Sequence, residues 1–308
     1  MFPSRPDPHP LDYDWRFSYD TSVQLVNLCG PQTVLCLGTP SIASLLARKF
    51  RPYLLIDRHP IQEVNKHLTI DINVEPPFIG TTFQNVVMDP PWYLDVYYRW
   101  LSWVAFSCHK KSKILLSIWP DDTRPNAAEE KKALFKWINS WGEIKIINNY
   151  LCYETPIFEK HAYMLSHDIG IRKGDLVIIT LESKPSLQEL ILTDEKWCRY
   201  ILDNYQLAIR LDGNSRRSNK THIGKIEQAS GWIWPSVSKR AIGREYIELW
   251  SSENEVASID NPLQLVSSID EMITTGKIKP VINNFPELLA WDIPHPPFSR
   301  THKWIQTC

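Results

Sequence analysis

A chain of 308 residues with 43% hydrophobic and 22% charged side chains has room for one large or two ordinary domains, and its composition excludes a disordered or fibrous polymer. A formal net charge of −1 excludes a global basic field, so any nucleic-acid binding must come from a local patch. No run approaches the roughly 18 apolar residues of a membrane span, and the opening Met1-Phe2-Pro3-Ser4-Arg5-Pro6 has no apolar signal-peptide core. The six cysteines (Cys29, Cys36, Cys108, Cys152, Cys198 and Cys308) form no C-x-x-C pair, which speaks against a zinc ribbon and for a reducing, cytoplasmic setting.

In chain order, residues 1–18 read as an extended arm rich in Pro and aromatics. A short helix is expected over Tyr19 to Leu28, capped by Asp20-Thr21-Ser22. Short apolar runs then alternate with amphipathic stretches. Strands are expected over Thr33–Leu37, Tyr53–Ile56, Leu68–Ile70, Phe83–Met88, Lys113–Ile118, Glu143–Tyr150 and Asp175–Leu181. Helices are expected over Ser41–Phe50, 94–107 and Ala127–Trp141, the last with Ala128, Leu134, Phe135 and Ile138 on one side. This alternation predicts an α/β fold with a doubly wound, mostly parallel sheet and a smaller C-terminal region. Past about residue 184 the pattern changes. Helical stretches are expected near 186–192 and 194–208, then a polar basic segment over 210–244, elements at Tyr246–Trp250 and Pro262–Thr274, and a Pro-rich tail at 292–300. The expected division is therefore residues 1–184 and 185–308.

In an open parallel sheet the ligand lies beyond the carboxyl ends of the strands. Three successive expected strands end on acids, Asp57, Asp71 and Asp89, and the first runs through Leu37 into Gly38-Thr39-Pro40, which opens a helix. Asp57 lies 19 residues past Gly38, near the spacing of an acid that receives ribose hydroxyls. Each acid taken singly can equally cap its own turn. The turn holds one glycine rather than G-x-G-x-x-G, and no P-loop occurs, so a pyrophosphate cradle is not expected. A ligand with ribose and adenine but no phosphate fits better, and S-adenosylmethionine is one.

The most specific feature is Asp89-Pro90-Pro91-Trp92, directly after FQNVVM. A chance match of this kind arises in about one per cent or fewer of chains this size. Two prolines hold the backbone extended and remove two N–H donors, leaving carbonyls and the Asp carboxylate as acceptors for an exocyclic amine. The Trp92 ring can stack on the heterocycle that bears it. A sulfonium methyl then needs alignment and electrostatics rather than a metal or covalent nucleophile. The bland alternative is a rigid Pro-Pro turn with Trp92 in the core.

The order LCLGTPS, LLID, VVMDPPW resembles the N6-adenine methyltransferases of DNA and RNA, over about residues 12–182. Asp14-Trp15-Arg16-Phe17 followed by Tyr19-Asp20-Thr21 resembles the aromatic-rich segment that precedes the cofactor strand in that group. The resemblance implies a class I Rossmann-like domain that binds S-adenosylmethionine along Leu37, Gly38, Thr39, Asp57 and Asp71. It implies that Asp89, Pro90, Pro91 and Trp92 hold the target amine and base. The motif order is like that of enzymes with a C-terminal target-recognition region. The chain departs from the pattern at Cys36, Thr39 and Pro40, where a second glycine and an acid are usual.

Residues 210–244 carry eight Lys/Arg (Arg210, Arg216, Arg217, Lys220, Lys225, Lys239, Arg240 and Arg244) against two acids, with Trp232 and Trp234 among them. Cations neutralise phosphates and aromatics stack on unpaired bases. Arg216, Arg217, Lys220, Trp232, Trp234, Lys239 and Arg240 are thus the candidate contacts to DNA or RNA, the target adenine being single-stranded or flipped out. A solvated loop with core tryptophans reads the stretch as well. Trp119-Pro120-Asp121-Asp122-Thr123-Arg124-Pro125 reads either as a lid or as a long turn. His109, His161 and His167 have no metal-site spacing, and no metal or membrane partner is expected. Two other functions stay open: methylation of a protein amine (lysine or glutamine), and a silent methyltransferase-like module that binds nucleic acid or a protein partner.

Overall fold

The computed structural model describes residues 5–59, 61, 64–77, 82–159, 172–191, 195–212, 221–226, 241 and 243–307. They fall into two compact units, one built from residues 15–155 and 172–191 and the other from residues 5–14, 156–159 and the described residues from 195 onward.

The first unit runs α1(Tyr19–Leu28), β1(Val34–Leu37), α2(Pro40–Arg48), β2(Tyr53–Asp57), β3(His67–Thr69), β4(Phe83–Met88), α3(Leu94–Phe106), β5(Cys108–Ile118), α4(Ala127–Ile138), β6(Gly142–Cys152) and β7(Lys173–Leu181). The cap of α1 is Ser18, whose hydroxyl accepts the Thr21 N–H at 3.2 Å, rather than the Asp20-Thr21-Ser22 group one turn later. The strands form one sheet in the order β3-β2-β1-β4-β5-β7-β6. Pairing is parallel from β3 through β5, and β7 alone is reversed, running antiparallel to both β5 and β6. This is the doubly wound α/β sheet expected from the alternation. Successive side chains of a strand face opposite sides. Leu35, Leu37, Ile56, Val86 and Met88 accordingly share a core with α3 and α4, whereas Cys36, Leu55 and Val87 share the other with α1 and α2. Burial on both faces explains why β1 reads as a continuous apolar run and β4 as one over Val86–Met88.

Register aligns the carboxyl ends. Leu37 pairs with Ile56 on one side and Met88 on the other, and Asp57 pairs with Thr69. Gly38, Asp57 and Asp89 therefore stand level on three adjacent strands, with Asp71 two residues past the end of β3.

The second unit holds β8(Lys196–Leu202), β9(Tyr205–Arg210), β10(Ile223–Gly224), β11(Leu249–Ser251), β12(Val256–Ile259), α5(Pro262–Thr275), α6(Lys279–Asn284) and β13(Thr301–Thr307). Its antiparallel sheet is ordered β10-β12-β11-β9-β8-β13. This corrects the helix expected over 194–208, which is the β8–β9 hairpin. Asp203 turns it in the left-handed region at φ 57°, a conformation that short Asp side chains tolerate. The stretch 186–191 carries no regular structure. The arm is not extended throughout either, since Pro10–Asp12 form a 3-10 turn.

Candidate functional site

Four elements of the first unit converge on Asp89. β4 delivers it to the carboxyl edge, and its N–H reaches the Leu37 carbonyl at 3.4 Å. Ser117, near the end of β5, donates its hydroxyl to Asp89 Oδ1. Tyr153, just past β6, donates to the same oxygen at 3.0 Å. Tyr97 of α3 donates to the Ser117 carbonyl at 2.8 Å. Two hydroxyls on one oxygen fix the plane of the carboxylate. Both phenols are buried and lie near the Asp89 charge, so burial first, and that charge second, push their pKa well above the usual value near 10. They act as permanent donors.

The prolines behave unequally. Pro91 gives its carbonyl to the Tyr93 N–H at 2.7 Å, whereas the Pro90 carbonyl takes no hydrogen bond from the described residues. Pro90 is buried and Pro91 half-buried. The Trp92 indole is half-buried and packs against both cores. Its ring meets Tyr153 edge-on at 5.9 Å and 81°, and the Arg172 guanidinium lies 5.8 Å from its centre and 4.4 Å from that of Trp15. A Cβ at Gly174 would come within 3.2 Å of Tyr153 and 3.5 Å of Trp92, so a glycine there lets both rings seat. Phe17 lies 5.0 Å from Tyr153, so Phe17 and Trp15 line the same place.

The turn after β1 differs from residue to residue. Leu37 is wholly in the core, and Thr39 is buried with its hydroxyl donated back to the Val87 carbonyl at 3.3 Å. Neither presents a side chain to a ligand. Gly38 adopts φ 59°, and a Cβ on it would lie 3.1 Å from the Trp100 ring. Cys36 is buried, which raises its thiol pKa far above the ordinary value and leaves it inert. Asp57 Oδ1 accepts the His59 N–H and Asp71 Oδ1 the Asn73 N–H, each at 2.9 Å, so both acids shape their own turns. Both remain half-buried at the edge of the sheet.

The structure thus brings Gly38, Asp57, Asp71 and Asp89 to one edge, and it adds Ser117, Tyr153, Tyr97, Trp100 and Asn73. Two strand spacings of about 4.8 Å separate β2 from β4, so about 10 Å divides the positions of Asp57 and Asp89. That span suits a nucleoside with a short side arm. The helix after Gly38 begins at Pro40, which has no N–H to offer a phosphate. A phosphate-free nucleoside is therefore the better fit to these residues.

Arg216, Arg217, Lys220, Trp232, Trp234, Lys239 and Arg240 lie outside the described residues. Of their neighbours, Arg210 pairs with Glu195 and Asp212, and Arg244 lies 4.8 Å from the Trp250 ring. His161 and His167 also lie outside them. The 119–125 loop contains a turn in which the Thr123 N–H reaches the Pro120 carbonyl at 3.3 Å. Trp119 is buried and donates to the Ala127 carbonyl at 2.9 Å, with the Arg124 guanidinium 4.5 Å from its ring. Among the described residues no group of three His, Cys, Asp or Glu could hold a metal, and no helix is long and apolar enough to cross a membrane.

Position alone could have flagged Ser117 and Tyr153, since each is a hydroxyl at or just past the end of an expected strand, although their shared partner Asp89 could not be read from it. Nothing in the local pattern marks Trp100.

No protein-family model matches the chain, and no curated protein matches it. Among solved structures, 60% of the chain aligns with 62% of a branched-chain polyamine synthase mutein from Thermus thermophilus, in complex with N4-aminopropylspermidine and 5′-methylthioadenosine, at a TM-score of 0.51 and 11% identity. The chain thus spans about three fifths of that enzyme. The T. thermophilus 16S rRNA N2 G1207 methyltransferase, in complex with AdoMet and guanosine, aligns over 67% of this chain and 51% of its own at a TM-score of 0.36 and 12% identity. TrmN from Thermus thermophilus aligns over 53% and 47% at 0.34 and 13%. These last two scores are too low to carry weight. At such identities the shared property is the fold alone, a Rossmann-like α/β sheet.

Proposed function

We propose that the chain is an S-adenosylmethionine-dependent methyltransferase acting on the N6 amino group of adenine in DNA or RNA. The observation that carries this reading is Asp89, level with Gly38 at the sheet edge, one oxygen held by Ser117 and Tyr153 and followed by the Pro90 carbonyl, which takes no hydrogen bond from the described residues. Carboxylate and carbonyl together form an acceptor pair for the two hydrogens of a flat amine. Bound cofactor supplies an electrophilic methyl on a sulfonium. Asp57 and Asp71 are assigned to its nucleoside, with Gly38 at the turn between them and Asp89. Trp92 is assigned to the target base, and Pro91 keeps the acceptors rigid. The rate comes from alignment in a site whose donors do not titrate near neutrality.

The second unit is assigned to target recognition, which rests on the basic and aromatic residues of 210–244 in the sequence. Five described cysteines are free, in keeping with a cytoplasmic setting. A second reading, transfer to an aliphatic amine, is favoured by the fold shared with a polyamine synthase.

The test offers labelled S-adenosylmethionine to separate pools of DNA, RNA, protein and polyamines. Recovery of N6-methyladenine from a nucleic-acid pool is the expected result. Label confined to protein or polyamines would move the assignment to the second reading, and no label in any pool would point to the silent, partner-binding module.

A further inference from the structure

We propose that Trp100 is the stacking platform for the purine of the nucleoside ligand, and so sets the preference for an adenosine thioether over one that lacks the base. This rests on the methyltransferase reading. Trp100 belongs to none of the motifs; it sits in the second turn of α3. Helical side chains lean toward the N-terminus of their helix, which sends this indole toward the carboxyl edge of the sheet.

The ring is tied at both ends. Its benzene edge abuts the cofactor turn, with Cη2 and Cζ3 lying 3.1 and 3.2 Å from where a Gly38 Cβ would be. Its Nε1 donates to Asn73 Oδ1 at 3.0 Å, and the Asn73 N–H is held by Asp71 Oδ1 at 2.9 Å. The indole therefore bridges Gly38 and the Asp71 turn, two places assigned to the cofactor. The helix that carries it is anchored on the same segment. Arg99 donates to the carbonyls of Ile72 at 2.8 Å and Glu75 at 2.7 Å, and the Trp103 Nε1 donates to Glu75 at 3.0 Å.

With its edges engaged, what the ring offers is a face. Trp100 packs against the core and is only half-buried. Leu37 and Thr39 are buried and give no such surface. A rigid, half-open indole between a glycine turn and an acid turn suits a flat purine.

The experiment is calorimetric titration of the full chain with S-adenosylhomocysteine and with S-ribosylhomocysteine, which lacks the adenine. Stacking on an aromatic ring is worth about 1–3 kcal/mol per base, or roughly five- to 150-fold in affinity. Trp100→Ala is expected to weaken S-adenosylhomocysteine at least about five-fold and leave S-ribosylhomocysteine unchanged; Trp100→Phe should stay within about three-fold of wild type. If the alanine variant does not fold, Trp100→Leu read against Trp100→Phe carries the comparison. Unchanged or tighter binding of S-adenosylhomocysteine by the alanine or leucine variant overturns the platform, as does equal weakening of both ligands. Failure of the wild-type chain to bind S-adenosylhomocysteine overturns the methyltransferase reading itself, and the platform with it.

Discussion

Tyr153 and Asp89 stand 64 residues apart in the chain and meet through a hydrogen bond of 3.0 Å. The phenol is locked by Phe17 on one side and Trp92 on the other, so its direction toward Oδ1 is not adjustable. Tyr153→Phe keeps both ring contacts and removes only the donor. A hydrogen bond to a charged group contributes about 1.5–3 kcal/mol, so transfer should slow by roughly ten- to 100-fold with little change in KM. Single-turnover rates on the labelled substrate measure this. A shift in KM alone would mean that the bond serves binding rather than alignment.

Asp89→Ala removes the acceptor itself. Asp89 is half-buried, so water can enter in place of its carboxylate beside the two hydroxyls, and the fold should persist while transfer falls by at least about 10³-fold. Circular dichroism and the rate assay together decide the matter. Full activity in a folded variant would place the chemistry elsewhere.

Gly38→Ala probes the turn. An alanine at φ 59° costs about 1–2 kcal/mol, and its Cβ would press on Trp100 at 3.1 Å. Loss of about 1–3 kcal/mol in urea unfolding is expected. Trp100→Ala should restore part of that loss by giving the methyl room, a non-additivity that a double-mutant cycle reads directly.

How much of this was legible follows from the range of each contact. β1, the Leu54–Ile56 part of β2 and the Val86–Met88 part of β4 could be read because they form unbroken apolar runs. Asp89-Pro90-Pro91-Trp92 could be read because its chemistry is local. Ser117 and Tyr153 reach Asp89 only through the order β4-β5-β7-β6, which no window of sequence contains. The β8–β9 hairpin was hidden for a related reason. Lys196–Leu202 is buried at every position after the first, so it shows no period of two, and Asp203-Asn204 was its one turn signal.

Alkaline titration tests the buried phenols. Tyr97, Tyr153 and Tyr205 have folded pKa values raised well above the ordinary value, in each case first by burial and then by a nearby carboxylate. Below about pH 10 both states hold these protons and no stability change arises. Above it the unfolded chain releases them and the folded chain does not, so stability falls as pH rises. The slope is about 1.4 kcal/mol per pH unit for each phenol. Urea midpoints measured from pH 9 to 11 should decline, and Tyr153→Phe should show a shallower decline. A flat profile would mean that these tyrosines are open to solvent.

The second unit makes its own prediction through Arg199, whose side chain is fully buried. Its two Nη atoms donate to the two oxygens of Asp12, each at 3.0 Å, and further to Gln306 at 2.6 Å and Gln206 at 3.1 Å. One guanidinium thus joins the N-terminal residues to β8, β9 and β13. A buried ion pair gives little net stability, since desolvation offsets attraction, but removing one partner strands the other charge. Asp12→Ala should therefore cost about 3–5 kcal/mol, whereas Asp12→Leu with Arg199→Met should recover much of it by putting apolar volume in place of the pair. Thermal and urea unfolding of the three chains give the comparison. If the double variant is as unstable as Asp12→Ala, the guanidinium's bonds to Gln206 and Gln306 are what the sheet requires, and Asp12 is the lesser partner.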